Sequence, residues 1–332
     1  MSKAEATHLE HIPDGVDLES LHEAVREDLV DGQGLADLLG SRHVDGQLVS
    51  KTSVPRIRPI LVALAARAAG ASSVDPDTQY LSEILHLALA FHDFALGREG
   101  GRRRRMARRL SRSMTWLGGH HLTLRAMEIG RNVQPQLMDD LVDTLRAFSD
   151  AQALSRELRG GPVMPTLEDW SEHADGHTSA LFGFCCRSGG MLAMTSSTQL
   201  RSLGRYGRHL GRLWHIAEDV SVLTGSDRGA GLALRAAAGR PVLPVVMAVR
   251  AHPQLAAQWL ALCGDPSDEA GEALAHAVVE GGGIKDSREV MASEAWRAQQ
   301  ALTGLPESSY RSHLDRLART LARPVTSSDS SE

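Results

Sequence analysis

Apolar residues recur along this chain at spacings of three and four, and strict alternation of apolar with polar residues is scarce. Spacings of three and four put side chains on one face of an α-helix, whereas alternation builds strands. The pattern begins with Leu18, Leu21, Val25, Leu29 and Val30. It resumes over residues 57–69, 80–96, 114–129, 137–154, 167–194 and 200–223. Shorter stretches follow at 242–249, 255–262, 269–280, 289–302 and 310–321, with glycine or proline between many of them. The pattern predicts an all-α protein of about a dozen helices.

Only 4% of the 332 residues are aromatic, so the core must be made of Leu, Ala and Val with closely packed helices. No repeat of fixed period is visible, which points away from a solenoid and toward one helical domain over residues 18–323. The segments 1–17 and 324–332 are polar and read as flexible tails. A net charge of −5 and a pI near 6.3 argue against a nucleic-acid-binding surface. The longest strongly apolar stretch, residues 60–66, is far too short to span a bilayer, and the N-terminus lacks the apolar core of a signal peptide. Cys185, Cys186 and Cys263 offer neither a disulfide framework nor a zinc-type pair. A soluble protein of the reducing cytoplasm, without a transmembrane segment, is the expectation.

Chemistry-bearing residues appear in a definite order. Val54-Pro55-Arg56-Ile57-Arg58-Pro59 precedes an apolar helix and is followed by His86-Leu87-Ala88-Leu89-Ala90-Phe91-His92-Asp93. A later element reads Leu210-Gly211-Arg212-Leu213-Trp214-His215-Ile216-Ala217-Glu218-Asp219, ending at Gly225. Between and after them stand Leu117-Gly118-Gly119, His177-Thr178-Ser179-Ala180-Leu181-Phe182 and Gly239-Arg240-Pro241-Val242-Leu243-Pro244. This order resembles the trans-isoprenyl diphosphate synthases, or polyprenyl synthetases, over nearly the whole of residues 18–323. Their corresponding elements are Gly-Lys-Arg-x-Arg-Pro, His-x5-His-Asp-Asp-x-x-Asp, Lys-Thr and Phe-Gln-x-x-Asp-Asp-x-x-Asp.

The resemblance implies an isoprenoid-synthase helical bundle around a central cavity, a prenyl diphosphate as substrate, and Mg²⁺ held by two aspartate-rich helix segments. Carboxylates four apart share a helix face and can grip one hard cation. Here Asp93 is followed by Phe94 and, four on, by Gly97; Glu218 and Asp219 remain, but Val222 stands at the third carboxylate position. Asp93, Glu218 and Asp219 are thus remnant metal ligands. Losing one donor to the charge that develops in a transition state commonly costs about 10²–10³ in rate. Bound Mg²⁺ and ordinary catalysis are both in doubt on this reading.

For the diphosphate, the resemblance assigns Arg56, Arg58, His86, Arg102, Arg103, His177, Thr178 and Arg240. Arg102 and Arg103 belong to a run of eight arginines between Arg98 and Arg112. Guanidinium forks suit phosphate oxygens, but a solvated basic segment or a patch for an acidic partner reads equally from composition. His177 replaces a lysine and carries charge only near or below its pKa. A literal Asp139-Asp140-Leu141-Val142-Asp143 string lacks the flanking histidines and arginines and reads chiefly as the acidic first turn of a helix. By resemblance, the chain is either an aspartate-poor subunit partnering an active prenyl diphosphate synthase, as homodimer or heteromer, or a divergent Mg²⁺-dependent prenyltransferase or class I terpene synthase. The terpene-synthase reading is weakened by Leu223 between Asp219 and Asp227. A third reading is a binding protein that keeps a prenyl or diphosphate pocket without chemistry.

Overall fold

The structure, a computed structural model, describes residues 18–25, 56–96 and 112–323. Among the described residues every regular element is helical and no strand occurs, as the periodicity predicts. In chain order these are α1 (Leu18–Ala24), α2 (Ile57–Ala68), α3 (Pro76–Leu96), α4 (Arg112–Val133), α5 (Leu137–Leu158) and α6 (Leu167–Ala174). A single π-helical segment, Asp175–Ser179, joins α6 to α7 (Ala180–Leu192). Then follow α8 (Ser197–Thr224), α9 (Arg228–Ala238), α10 (Leu243–Ala251), α11 (Leu255–Gly264), α12 (Asp268–Glu280), α13 (Gly283–Leu302) and α14 (Ser309–Leu321).

The stretch read as most apolar forms the centre. In α2, Ile57 and every residue from Ile60 to Ala66 are completely buried, because a helix apolar on all sides must be wrapped by others. Its wrapping helices are α3, α7 and α14, while α8, 28 residues long, runs against α7 and α13. Gly211 makes the approach of α8 possible, since a Cβ there would press on the Ser179 backbone of the π segment. A second apolar cluster, around Leu232, Trp259, Leu262 and Val278, packs the end of α8 with α9 to α12.

α6 begins at a capping box in which Thr166 and Asp169 exchange side-chain and backbone hydrogen bonds. α6, the π segment and α7 therefore form one broken rod, and the wider π turn re-aims the side chains between its halves. Among the described residues no single helix is long and apolar enough to cross a membrane; α9 and α10 reach that length only together, across a 90° bend.

Candidate functional site

Asp93 lies near the end of α3. Nη2 of Arg240 stands 2.5 Å from each of its carboxylate oxygens, and Gln152 of α5 donates to Oδ1 at 2.8 Å. Burial by itself would raise the Asp93 carboxyl, but the Arg240 guanidinium, helped by the Gln152 hydrogen bond, outweighs it and holds the group well below the usual carboxylate range. Arg240 is delivered by the turn that closes α9. Gly239 has φ +69°, and a Cβ at this position would overlap the Ser155 carbonyl oxygen of α5. Gly239→Ala is expected to cost about 2–3 kcal/mol, from left-handed strain and overpacking together. Urea denaturation measures that cost, and an unchanged midpoint would show that the turn is not constrained as described.

Asp219 is fully buried. Its Oδ2 accepts the Trp170 indole N–H at 2.8 Å and the Leu243 amide at 3.0 Å. Leu243 opens α10, so the carboxylate satisfies one of the amides that the helix itself cannot pair. Glu218 is partly buried and interacts electrostatically with His215. Asp93 and Asp219, far apart in sequence, are thus tied to the same four-residue stretch, Asp93 through Arg240 and Asp219 through Leu243.

Three histidines sit beside them. The rings of His173 and His177 stack at 4.3 Å between centroids, and His215 lies 5.3 and 6.5 Å from them. Both ring nitrogens of His173 and Nε2 of His177 and His215 are buried without a hydrogen-bond partner among the described residues, while His215 Nδ1 and Thr178 Oγ1 share a hydrogen bond of 3.2 Å. Burial pushes all three rings toward the neutral form. His177 falls to about 3, because burial and Arg240 outweigh the upward pull of Asp93. At neutral pH His177 therefore supplies hydrogen-bonding atoms rather than the charge of a lysine.

Of the other predicted diphosphate ligands, Arg56 and Arg58 converge on Glu83 of α3, at 3.2 and 3.5 Å, with Arg58 itself buried. His86 is one turn further along α3. Arg102 and Arg103 lie outside the described residues. The literal acidic string falls in the first turns of α5, where Asp140 pairs with Arg187 at 2.7 Å. Asp140 and Asp143 line a groove of about 400 Å³ with Arg187, Arg205, Arg208 and Arg212, and its lining does not include Asp93 or Asp219.

The residues present do not fit a cluster of Mg²⁺ ions of the kind the resemblance implies. One cationic nitrogen already occupies the fork of Asp93, Oδ2 of Asp219 is held by an indole and an amide, and the positions four residues after Asp93 and Glu218 are taken by Gly97 and Val222 instead of carboxylates. Among the described residues no three His, Cys, Asp or Glu side chains are arranged to hold a metal ion.

An all-helical bundle with arginine-pinned and acidic elements in this order is an isoprenoid-synthase fold. The chain belongs to the polyprenyl synthetase family, whose model matches residues 49–280. It is 24% identical to solanesyl-diphosphate synthase 2, chloroplastic, of Oryza sativa, over 93% of this chain and 80% of the relative. It is 23% identical to octaprenyl diphosphate synthase of Escherichia coli, over 91% and 98% of the two chains. The fold is shared, at a TM-score of 0.79 and 20% identity over 94% of this chain and 99% of the other, with polyprenyl synthase from Caulobacter crescentus complexed with calcium and isoprenyl diphosphate.

Sequence reasoning missed Glu83, Gln152, Trp170, His173 and His215 as site residues. Two of these carry a readable signal, since Glu83 precedes His86 by three and His173 precedes His177 by four. Gln152 and Trp170 carry none, because their partners Asp93 and Asp219 are 59 and 49 residues away.

Proposed function

We propose that this chain is a prenyl diphosphate-binding polyprenyl synthetase of a single domain over residues 18–323, impaired in catalysis and acting as partner subunit to an active prenyl diphosphate synthase in the cytoplasm. The observation that carries the proposal is the capture of Asp93 by Arg240. Ionising an allylic diphosphate demands strong cationic stabilisation of the leaving group, and a carboxylate already neutralised by a guanidinium is a poor anchor for a metal. Arg240, with Arg56 and Arg58, supplies positive charge for a diphosphate, and Thr178 with the neutral His177 supplies hydrogen bonds. Association is favoured by exposed apolar side chains on α4 and α5: Trp116, Leu117, Leu124 and Val142. Interfaces between copies or close relatives bury such patches.

A second reading, an active Mg²⁺-dependent prenyltransferase, is favoured by similarity that runs over more than nine-tenths of the chain to proteins named as octaprenyl and solanesyl diphosphate synthases. Turnover of isopentenyl and allylic diphosphates with Mg²⁺, measured for the chain alone and mixed with an active synthase from the same source, separates the two. The expected outcome is turnover for the chain alone at least about 10²-fold below the synthase, with the mixture differing from the synthase in rate or product length. Product formation by the chain alone at an ordinary rate of about 1–10 s⁻¹ would establish the second reading instead.

A further inference from the structure

We propose that Arg240 is a built-in cation in the place of the metal at the first acidic element, and that Asp93 is its placeholder anion, displaced when a diphosphate binds. The inference rests on the diphosphate-binding reading above and names how that site works.

The position of Nη2 is the first argument. A single nitrogen 2.5 Å from both oxygens of Asp93 stands in the fork of the carboxylate, where a bidentate cation would sit. A metal ion and this guanidinium cannot share that fork, and their like charges repel at such range.

The second argument is that one helix fixes both ends of the pair. From α5, Gln152 holds Oδ1 of Asp93 at 2.8 Å, while the Ser155 carbonyl lies against Gly239, the residue that delivers Arg240. Both side chains are largely buried, 13% and 15% exposed, so the contact is shielded from solvent.

The third argument is the surroundings. Both ring nitrogens of His173, Nε2 of His177 and of His215, and Oδ1 of Asp219 are buried and have no hydrogen-bond partner among the described residues. Polar atoms of this kind pair with a ligand or water. Neutral imidazoles can donate hydrogen bonds to phosphate oxygens without a metal. An anion that arrives at Arg240 competes with Asp93 for the same guanidinium, and the rings beside it complete its hydrogen bonds.

Calorimetric titration of the full chain with inorganic pyrophosphate, once in EDTA and once with Mg²⁺, tests the proposal alongside manganese electron paramagnetic resonance on the protein alone. Removing the placeholder without changing its shape, in Asp93→Asn, should tighten pyrophosphate about three- to tenfold, whereas Arg240→Gln should weaken it more than about tenfold. Affinity in EDTA should lie within about threefold of that in Mg²⁺, and the wild-type protein should hold no Mn²⁺. Binding that requires Mg²⁺ and is weakened by Asp93→Asn, or Mn²⁺ bound by the wild type and lost in Asp93→Asn, overturns the proposal. So does an absence of pyrophosphate binding in both buffers. Because Asp93→Asn is isosteric, its result stands even where Arg240→Gln fails to fold. The reading of the chain as a prenyl diphosphate-binding partner subunit fails separately, on a prenyl diphosphate that neither binds nor supports a partner synthase.

Discussion

Lowering the pH from 7 to 5 should destabilise the protein by about 4 kcal/mol through His173 and His177 together, about 2 kcal/mol for each ring that stays neutral. The folded state holds both rings below their ordinary pKa, by burial first and by neighbouring positive charge second. The unfolded chain then binds protons that the folded chain refuses. Stability conferred by the neutral rings is full above the unfolded value of 6.5 and declines as the pH falls from there toward the folded values. His215 acts in the same direction. The depressed Asp93 contributes nothing to this window, because its stabilisation is lost only in stronger acid, below the ordinary carboxylate range. Urea midpoints across this range measure the slope, and His173→Phe, which removes one titrating ring, should flatten it by about 2 kcal/mol at pH 5. A slope unchanged by that substitution would mean that His173 takes up its proton in the fold.

Asp219→Ala should lower the unfolding free energy by about 3–5 kcal/mol, because two hydrogen bonds to a charged group are lost and the Trp170 indole and Leu243 amide are stranded. A surface metal ligand would behave oppositely. Its removal alters metal dependence and leaves stability nearly untouched. The same urea experiment decides, with a loss under about 1 kcal/mol showing that Asp219 does not pin α10.

These two predictions come from contacts that the linear chain does not announce. Helical periodicity marks residues 57–69 as a helix, the run 60–66 marks it as the most apolar one, and the ordered landmarks mark Asp93, Arg240 and Asp219 as members of one site. Residue type alone could not tell which partner each would take. Arg240 reads from sequence as a phosphate ligand, yet it grips Asp93, 147 residues away. Asp219 reads as a metal ligand, yet it bonds an indole and an amide. His173 stays hidden behind the reading of His177 as a lysine substitute, although the two are four apart. Nothing in the composition of residues 175–179 signals a π turn, because the extra residue is accommodated by packing against α5 and α8 rather than by local propensity.

That turn makes the length of the chain matter as much as its content. A π turn holds one residue more than an α turn, and one residue of helix is about 100° of rotation. Deleting a single position within 175–179 would restore a regular helix while keeping every other residue. Trp170 and His173 would keep nearly the same aim relative to α7, because the lost residue and the lost widening of the turn offset each other, while the side chains of the turn itself, His177 and Thr178 among them, would be redirected. The turn therefore absorbs one residue without re-aiming the helices beside it, and a chain shorter by one in this segment could keep the whole bundle and the aim of α6 while presenting a different His177 and Thr178 to whatever enters the interior.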